Sequence, residues 1–117
     1  MINYRFGDVI LIPFPFTDLT AVKQRPAVIL SSSRFNRAHQ DVVIAAITSH
    51  IAERFAQDDY PLSPRELQAA GLPKHSLVKV SKIVTLDQQL IRKRLGSIPP
   101  SGRKQIMKIF YSVFQES

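Results

Sequence analysis

Short apolar and β-branched runs dominate the first half of the chain and predict strands there. The runs cover residues 8–13, 27–31 and 41–48. The last two are almost continuously hydrophobic, which indicates strands covered on both faces, as in a small barrel or a sheet under helices. Pro13 and Pro15 are expected to end the first run, because proline lacks the N–H that a central ladder needs. Residues 17–25 follow no sustained period and predict a long loop between the first two strands.

Residues 63–71 carry the clearest local signal, which is that of a short helix. Its ends are marked by Ser63 as N-cap, Pro64 at the first helical position, Glu66 to complete a capping box, and Gly71 as the stop. Residues 77–86 then predict a strand. The alternation of apolar and polar positions slips near Lys82, which predicts a bulge or a bend at that point.

The last third of the chain predicts two helices. Asp87 is a candidate cap for a brief helix through about Arg94, ended by Gly96. The C-terminal segment predicts a longer amphipathic helix behind a cap at Ser101. One face of it carries an apolar stripe: Ile106, Ile109, Phe110, Val113 and Phe114. Such a stripe either binds a partner or docks on the domain's own sheet, and docking is expected here.

Short connections between the predicted strands favour antiparallel neighbours over parallel crossovers. The 117 residues contain no internal repeat, low-complexity tract or Gly/Ser linker, so a single domain over residues 1–117 is expected. The expected fold class is mainly β, with roughly five to seven short strands, two or three helices, and the amphipathic helix at the C-terminus.

Charge is divided unevenly along the chain. The net charge is +7, and residues 73–117 account for all of it, with nine Lys or Arg against two Asp or Glu. A basic half of this kind suggests a polyanionic partner or an acidic protein segment. The alternative is a solvated surface that happens to be rich in lysine and arginine.

Several classes of site are excluded by the residues themselves. The chain has no cysteine, which removes thiolate metal sites, cysteine nucleophiles and disulfides. The common phosphate-binding, dinucleotide-binding, zinc-protease and serine-hydrolase motifs do not occur. His39, His50 and His75 lack the spacing of metal ligands and are expected in solvated loops, although His50 follows a strand end where a proton-transfer group can lie. We therefore expect neither a metal nor a cofactor.

The hydropathy of the chain gives no sign of a membrane span or a secretory leader. The longest uninterrupted apolar run, residues 42–47, is far shorter than the roughly 20 residues that a bilayer requires. The first residues lack a charged leader followed by an apolar segment. A cytoplasmic protein is therefore expected.

Three short segments carry groups able to contact a phosphodiester. Arg25 precedes Pro26, which restricts it to extended geometry, and an arginine there either binds phosphate bidentately or pairs with a carboxylate. Residues 48–50, Thr-Ser-His, end a strand, where hydroxyls either bind phosphate oxygens or cap a turn. Residues 79–82, Lys-Val-Ser-Lys, offer two ammonium groups and a hydroxyl, or simply exposed lysines.

The order and spacing of several motifs are shared with a known family. Residues 7–19 open with Gly-Asp, residues 25–31 open with Arg-Pro-Ala, and residues 47–49 read Ile-Thr-Ser. Residues 76–91, then Leu-Gly and the C-terminal helix, continue the same order. Together they resemble the MazF/PemK family of toxin endoribonucleases of type II toxin–antitoxin systems, over nearly the whole chain. The resemblance implies an SH3-like β-barrel with short helices and a C-terminal helix, a homodimer, and metal-independent RNA cleavage.

The same resemblance implies roles for particular residues. Arg25 matches the family's catalytic arginine, and Thr48, with Ser49 beside it, matches its active-site hydroxyl residue. The residues expected to contact RNA are Phe16, Thr17, Lys23 and Gln24, in the loop that borders the RNA groove in relatives, together with Lys79 and Lys82.

The strand over residues 77–86 departs from the family pattern. Relatives often carry an Asp, and an Arg two residues before it, where this chain has Ser81 and Lys79. Lysine keeps the charge but loses the bidentate fork of arginine, and serine removes an obvious base. Either His50, Lys79 or Ser81 itself transfers the proton, or activity is weak, or the alignment of this strand is shifted.

The function that the resemblance implies is cleavage of single-stranded RNA, such as mRNA, at selected sequences. The 2′-hydroxyl attacks the adjacent phosphorus and leaves a 2′,3′-cyclic phosphate and a 5′-hydroxyl, so the enzyme mainly positions the chain and stabilises charge. The implied partner is an acidic antitoxin that covers the RNA groove, and the basic half suits it. The rival is a non-catalytic module on the same fold that binds nucleic acid or poisons gyrase, as related toxins do.

Overall fold

The computed structural model describes residues 3–14, 23–51 and 55–116. In chain order, the elements are β1 (Asp8–Phe14), β2 (Lys23–Ile29), α1 (Ser33–Ala38), β3 (Asp41–Thr48), β4 (Asp59–Pro61), α2 (Pro64–Ala70), β5 (Leu77–Asp87), β6 (Lys93–Ser97) and α3 (Pro100–Val113). A 3-10 turn, Gln88–Leu90, connects β5 to β6. Within these ranges, no helix is long and apolar enough to cross a membrane.

The six strands form one antiparallel sheet in the order β4-β5-β3-β2-β1-β6. The mainly β class and the antiparallel pairing are therefore confirmed. The edge strands β4 and β6 do not pair with each other in the described part of the chain, so the sheet is open there. The closed SH3-like barrel stays a prediction.

Hydrophobic side chains cover both faces of the sheet. One face carries a buried cluster that includes Val9, Val28 and Ile47. Ile98, just before α3, and Ile106, in the middle of α3, belong to the same cluster. The cluster on the other face includes Ile10, Ile12, Ile29, Val42 and Ile44. The central strands β2 and β3 contribute to both clusters, as their continuous hydrophobicity predicted.

Helix α2 lies where its capping residues predicted it. Ser63 Oγ accepts a hydrogen bond from the Glu66 backbone N–H at 3.2 Å, and Glu66 Oε1 accepts one from Ser63 N–H at 2.9 Å. The capping box is therefore complete. Gly71 ends the helix with a φ of 73°, a left-handed conformation that glycine adopts without a steric penalty.

Tyr60 connects β4 to this helix cap. Its hydroxyl donates a hydrogen bond to Glu66 Oε2 at 2.8 Å, and Glu66 is buried. Tyr60→Phe is expected to lower the free energy of unfolding by about 1.5–3 kcal/mol, because a buried carboxylate oxygen loses its donor. Urea denaturation at neutral pH measures the loss. Tyr111→Phe is the matched control, since Tyr111 is 59% exposed on α3; equal losses in the two variants would contradict the assignment.

The contribution of Tyr60 also has a defined pH range. Burial, followed by the hydrogen bond to Glu66, raises the pKa of Tyr60 from 10.0 to about 12. Because the folded pKa lies above the unfolded one, the stabilisation is fully present below about pH 10 and is lost as the pH rises through about 12.

The pairing between β3 and β5 contains the predicted bulge. Ala45 of β3 pairs with Ile83 and the next residue, Ala46, pairs with Lys79, so residues 80–82 have no partner in β3. Of these, Ser81 and Lys82 are exposed to solvent. The slip in the alternation near Lys82 is therefore confirmed as a bulge.

Pro13 does not end β1, contrary to the prediction. It pairs with Gln24 of β2, and on the other side β6 reaches only as far as Leu11. Leu11 O accepts a hydrogen bond from Arg92 N–H at 2.8 Å. Pro13, two residues further on, directs its nitrogen to the same side, beyond the end of β6, so the missing N–H costs no ladder bond. Pro15 lies outside the described residues.

β2 begins earlier than predicted. Lys23, Gln24 and Arg25 were expected in a loop, but they extend the ladder with the end of β1. This strand end is specified by its pairing partner and not by a local alternation, which is why the sequence pattern missed it. The rest of the predicted loop, residues 17–22, lies outside the described part of the chain.

The segment after β5 forms a 3-10 turn and then the strand β6, so the predicted helix through Arg94 is wrong. Asp87 Oδ1 does cap, accepting a hydrogen bond from Gln89 N–H at 2.8 Å, but only the 3-10 turn follows. β6 then pairs with the free side of β1, and this long-range ladder outweighs the local helix signal. Gly96, the expected helix stop, lies inside β6.

Helix α3 begins earlier than its predicted cap. Pro99 occupies the N-cap and Ser101 lies in the first turn, because Pro100 provides a helical φ at the first position. Ile106 is fully buried and Ile109 and Phe110 pack against the same cluster, whereas Phe114 is 65% exposed, so most of the predicted stripe docks on the domain and its C-terminal end does not. The sequence pattern predicted no element where α1 and β4 lie, and these have only six and three residues.

Candidate active site

A cleft of about 650 Å³ opens at the end of the sheet where β2 begins and β3 ends. Part of its floor is apolar and comes from Leu11 and Pro26. The cleft brings together most of the polar residues that the sequence singled out: Gln24, Arg25, Thr48, Ser49, His50, Lys79 and Lys82.

Strand pairing explains why Arg25 and Thr48 meet. The antiparallel ladder between β2 and β3 places Ala27 opposite Ala46. Arg25 and Thr48 each lie two residues beyond that last pair, at the same end of the two strands, and both line the cleft. A guanidinium and a hydroxyl from distant parts of the sequence therefore share one end of the sheet.

The turn after β3 holds the Thr48 hydroxyl in place. Thr48 Oγ1 accepts a hydrogen bond from His50 N–H at 3.1 Å. This bond uses a lone pair of the oxygen and leaves the hydroxyl hydrogen available to donate. Thr48 is half-buried, while Ser49 and His50 are exposed. The turn-capping and phosphate-binding interpretations of this hydroxyl are therefore compatible.

Lysines from the basic half of the chain make the cleft electropositive. Lys74, Lys79 and Lys82 line it, and among the described residues no Asp or Glu does. The Lys79 side chain is 40% exposed, and its Nζ lies 3.5 Å from Asp59 Oδ1. Because these lysines converge with Arg25, the cleft suits a polyanion such as a phosphodiester chain.

One wall of the cleft is the loop between α2 and β5, which the sequence analysis did not single out. Its lining residues include Leu72, Pro73, Lys74 and Ser76. The one available signal was the position of this segment between a strongly capped helix and a strand. No residue pattern within the loop indicated that it would face Arg25.

Two glycines allow the end of α2, from which this wall continues, to pack directly against β6. A Cβ on Gly71 would lie 2.3 Å from Leu95 O, and a Cβ on Gly96 would lie 2.3 Å from Ala69 O. Such distances are available only when no side chain intervenes, so the end of α2 and the strand β6 are in direct backbone contact. The loop that follows α2 is thereby fixed relative to the sheet.

Some candidate residues do not reach the cleft. Ser81 is exposed on the bulge of β5, and Lys23 is exposed at the start of β2; neither lines the cleft. Phe16 and Thr17 lie outside the described residues. In the ranges that the structure describes, no three His, Asp or Glu side chains are grouped so as to hold a metal ion.

Comparison with known proteins gives one family match and several relatives. The profile of PemK-like, MazF-like toxins of type II toxin–antitoxin systems matches residues 5–114. Endoribonuclease MazF6 of Mycobacterium tuberculosis is 30% identical over 79 residues, which is 68% of each chain.

Solved structures share the fold. A mycobacterial endoribonuclease in complex with its cognate antitoxin superposes with a TM-score of 0.75 and 21% identity, covering 97% of this chain and 99% of that one. The MazE–MazF complex of Deinococcus radiodurans gives a TM-score of 0.78 and 17% identity, covering 100% of both chains. At these identities, the similarity establishes the arrangement of strands and helices.

Proposed function

Since this chain belongs to the family of PemK-like, MazF-like toxins of type II toxin–antitoxin systems, we propose that it is an endoribonuclease that cleaves single-stranded RNA without a metal ion. Arg25, Thr48 and Ser49 are the proposed catalytic residues. The observation that carries this proposal is the meeting of Arg25 and Thr48 in a cleft lined by three lysines and, among the described residues, by no carboxylate.

The proposed reaction uses the nucleophile of the substrate itself. The 2′-oxygen forms a bond to the adjacent phosphorus, the bond from phosphorus to the 5′-oxygen breaks, and the products are a 2′,3′-cyclic phosphate and a 5′-hydroxyl. Negative charge builds on the non-bridging oxygens as the 2′-oxygen attacks. Arg25 neutralises this charge, and the hydroxyls of Thr48 and Ser49 donate hydrogen bonds to the same oxygens.

A proton must leave the 2′-hydroxyl and another must reach the 5′-oxygen. We assign proton transfer to His50 and Lys79, which both line the cleft. Ser81 remains a weaker candidate, because it lies on the bulge and outside the cleft lining.

The surroundings of the cleft suggest how RNA is held. Gln24 and Lys82 line the cleft, and Lys23 adjoins it in sequence, so we propose that they contact the RNA strand, together with Phe16 and Thr17. In-line attack requires a rotatable linkage, which a single strand provides and an A-form helix does not. Sequence selection then comes from base contacts along the cleft walls.

The partners proposed from the family are a cognate acidic antitoxin and a second copy of this chain. Relatives have been solved with an antitoxin bound, and the electropositive cleft suits an acidic segment. We also propose that residues 1–117 form one toxin domain, that its sheet is a variant of the SH3-like barrel, and that it acts in the cytoplasm, where its RNA substrate occurs.

Analysis of the RNA ends tests the chemistry. In the presence of EDTA, the protein is expected to cut single-stranded RNA and leave 5′ ends that polynucleotide kinase labels without prior phosphatase treatment. The 5′ fragments are expected to carry, at their 3′ ends, a 2′,3′-cyclic phosphate that acid opens. Fragments with 5′-phosphates would contradict the mechanism, and tight RNA binding without any fragment would favour a non-catalytic module.

A further inference from the structure

A carboxylate lies directly behind the cleft, on a strand that the sequence analysis did not detect. Asp59 of β4 is opposite Lys79 of β5 in the antiparallel ladder. Its Oδ1 lies 3.5 Å from Lys79 Nζ, and its side chain is only 5% exposed against 40% for the lysine. One end of this ion pair is therefore inside the protein, and the other end faces the cleft.

The carboxylate of Asp59 is held independently of Lys79. Its second oxygen, Oδ2, accepts a hydrogen bond from Ala56 N–H at 2.9 Å. The Asp59 backbone N–H in turn donates to Ala56 O at 3.1 Å. A buried carboxylate with one oxygen fixed by the backbone presents the other oxygen in a defined direction, which is what an anchor for a flexible lysine requires.

We propose that Asp59 is a positioning residue for RNA cleavage, holding the Lys79 ammonium at the cleft where the phosphate reacts. This inference rests on the proposed function. Lysine has a long flexible stem, so an unanchored ammonium samples many positions and loses the alignment that proton transfer or charge stabilisation needs. Asp59 also offsets part of the lysine charge, which limits how tightly the phosphate is bound before the reaction.

The ion pair also bears on the departure from the family pattern in β5. The resemblance noted from the sequence implies that relatives often carry an Asp at position 81, where this chain has a serine on an exposed bulge. The carboxylate that contacts the cleft lysine comes from β4, across the ladder and not along the same strand. An acidic group is therefore present beside the site, although it acts through Lys79 and does not line the cleft.

A double-mutant cycle tests the proposal with Asp59→Asn, Lys79→Ala and the combined variant. Asparagine keeps the size of the side chain and an oxygen able to accept from Ala56 N–H. With Lys79 present, Asp59→Asn is expected to lower kcat about 10-fold without raising KM. In the Lys79→Ala background, the same substitution is expected to leave kcat unchanged.

Asp58→Asn is the matched control. It removes the same charge one residue away, from a half-buried side chain that does not line the cleft. Its kcat is expected to equal that of the wild type.

Binding separates positioning from loss of folded protein. A 2′-fluoro version of an RNA that the wild type cleaves provides no nucleophile, and Asp59→Asn is expected to bind it at least as tightly as the wild type. A partly unfolded variant would instead lose binding and kcat together, with a lower Tm, and that result would overturn the proposal.

Two further results would count against the positioning role of Asp59. Equal effects of Asp59→Asn with and without Lys79 would make the role structural, and an unchanged kcat in the single variant would remove the role altogether. If the wild type cleaves no RNA, the proposed function itself fails. The inference about Asp59 fails separately when the wild type cleaves and the cycle shows no coupling.

Discussion

Arg25→Ala is expected to lower kcat for RNA cleavage at least about 100-fold, because one preorganised donor to the reacting phosphate typically contributes that much. Arg25 is exposed near the start of β2, so its truncation leaves no cavity in either hydrophobic cluster. The Tm should therefore change little. Initial rates on single-stranded RNA in EDTA, compared at equal folded concentration, measure the effect.

Two further variants show whether charge alone is sufficient. Arg25→Lys keeps the positive charge but cannot form two parallel hydrogen bonds to phosphate, so its rate is expected to lie between those of the parent and Arg25→Ala. Arg34→Ala is the control, since Arg34 is exposed on α1 and does not line the cleft. If Arg25→Ala cut RNA as fast as the parent, Arg25 would not belong to the active site.

Gly96→Ala is expected to cost about 3 kcal/mol of unfolding free energy, the upper end of the usual range for overpacking. The added Cβ would lie 2.3 Å from Ala69 O and 2.7 Å from the carbonyl carbon of Ala70, and these backbone atoms of α2 cannot rotate away. For a chain of this size, the corresponding fall in Tm is roughly 10 °C. Urea denaturation followed by circular dichroism measures the loss.

The added Cβ is expected to push α2 away from β6, and this shift is also expected to change the cleft. The loop after α2 forms one wall, so KM for RNA should rise in Gly96→Ala at temperatures where the protein is still folded. Ser101→Ala is the control for stability, because Ser101 is exposed in the first turn of α3. A Gly96→Ala protein as stable as the parent would mean that α2 and β6 are not in direct backbone contact.

Local signals predicted those elements whose ends are encoded in their own residues. Strand β3 matched its apolar run, and α2 matched the capping box of Ser63 and Glu66 with Gly71 as the stop. β6 was missed because a partner far away in the sequence specifies it: the cap at Asp87 was read correctly, but pairing with β1 makes Lys93–Ser97 a strand.

Some residues of the candidate site were likewise identifiable from the sequence, and others were not. Arg25 and Thr48 were singled out from their motifs and the family resemblance, and the register of β2 against β3 explains their meeting. Lys74 and Ser76 were not singled out, since a loop carries no periodicity that tells which side chains face a cleft. Asp59 was missed because β4 has only three residues and because the carboxylate contacts a lysine on another strand, which no local pattern reveals.

The bulge in β5 divides one strand into two segments that can accept mutations separately. Residues 77–79 pair with both β3 and β4 and carry Lys79 to the cleft, whereas residues 83–87 continue the ladder with β3 alone. Because the pairing register with β3 restarts after the bulge, a one-residue register shift in the second segment need not turn Lys79 to the other face of the sheet. Selection can therefore alter the hydrophobic interior on one side of the bulge while the chemistry on the other side is inherited unchanged.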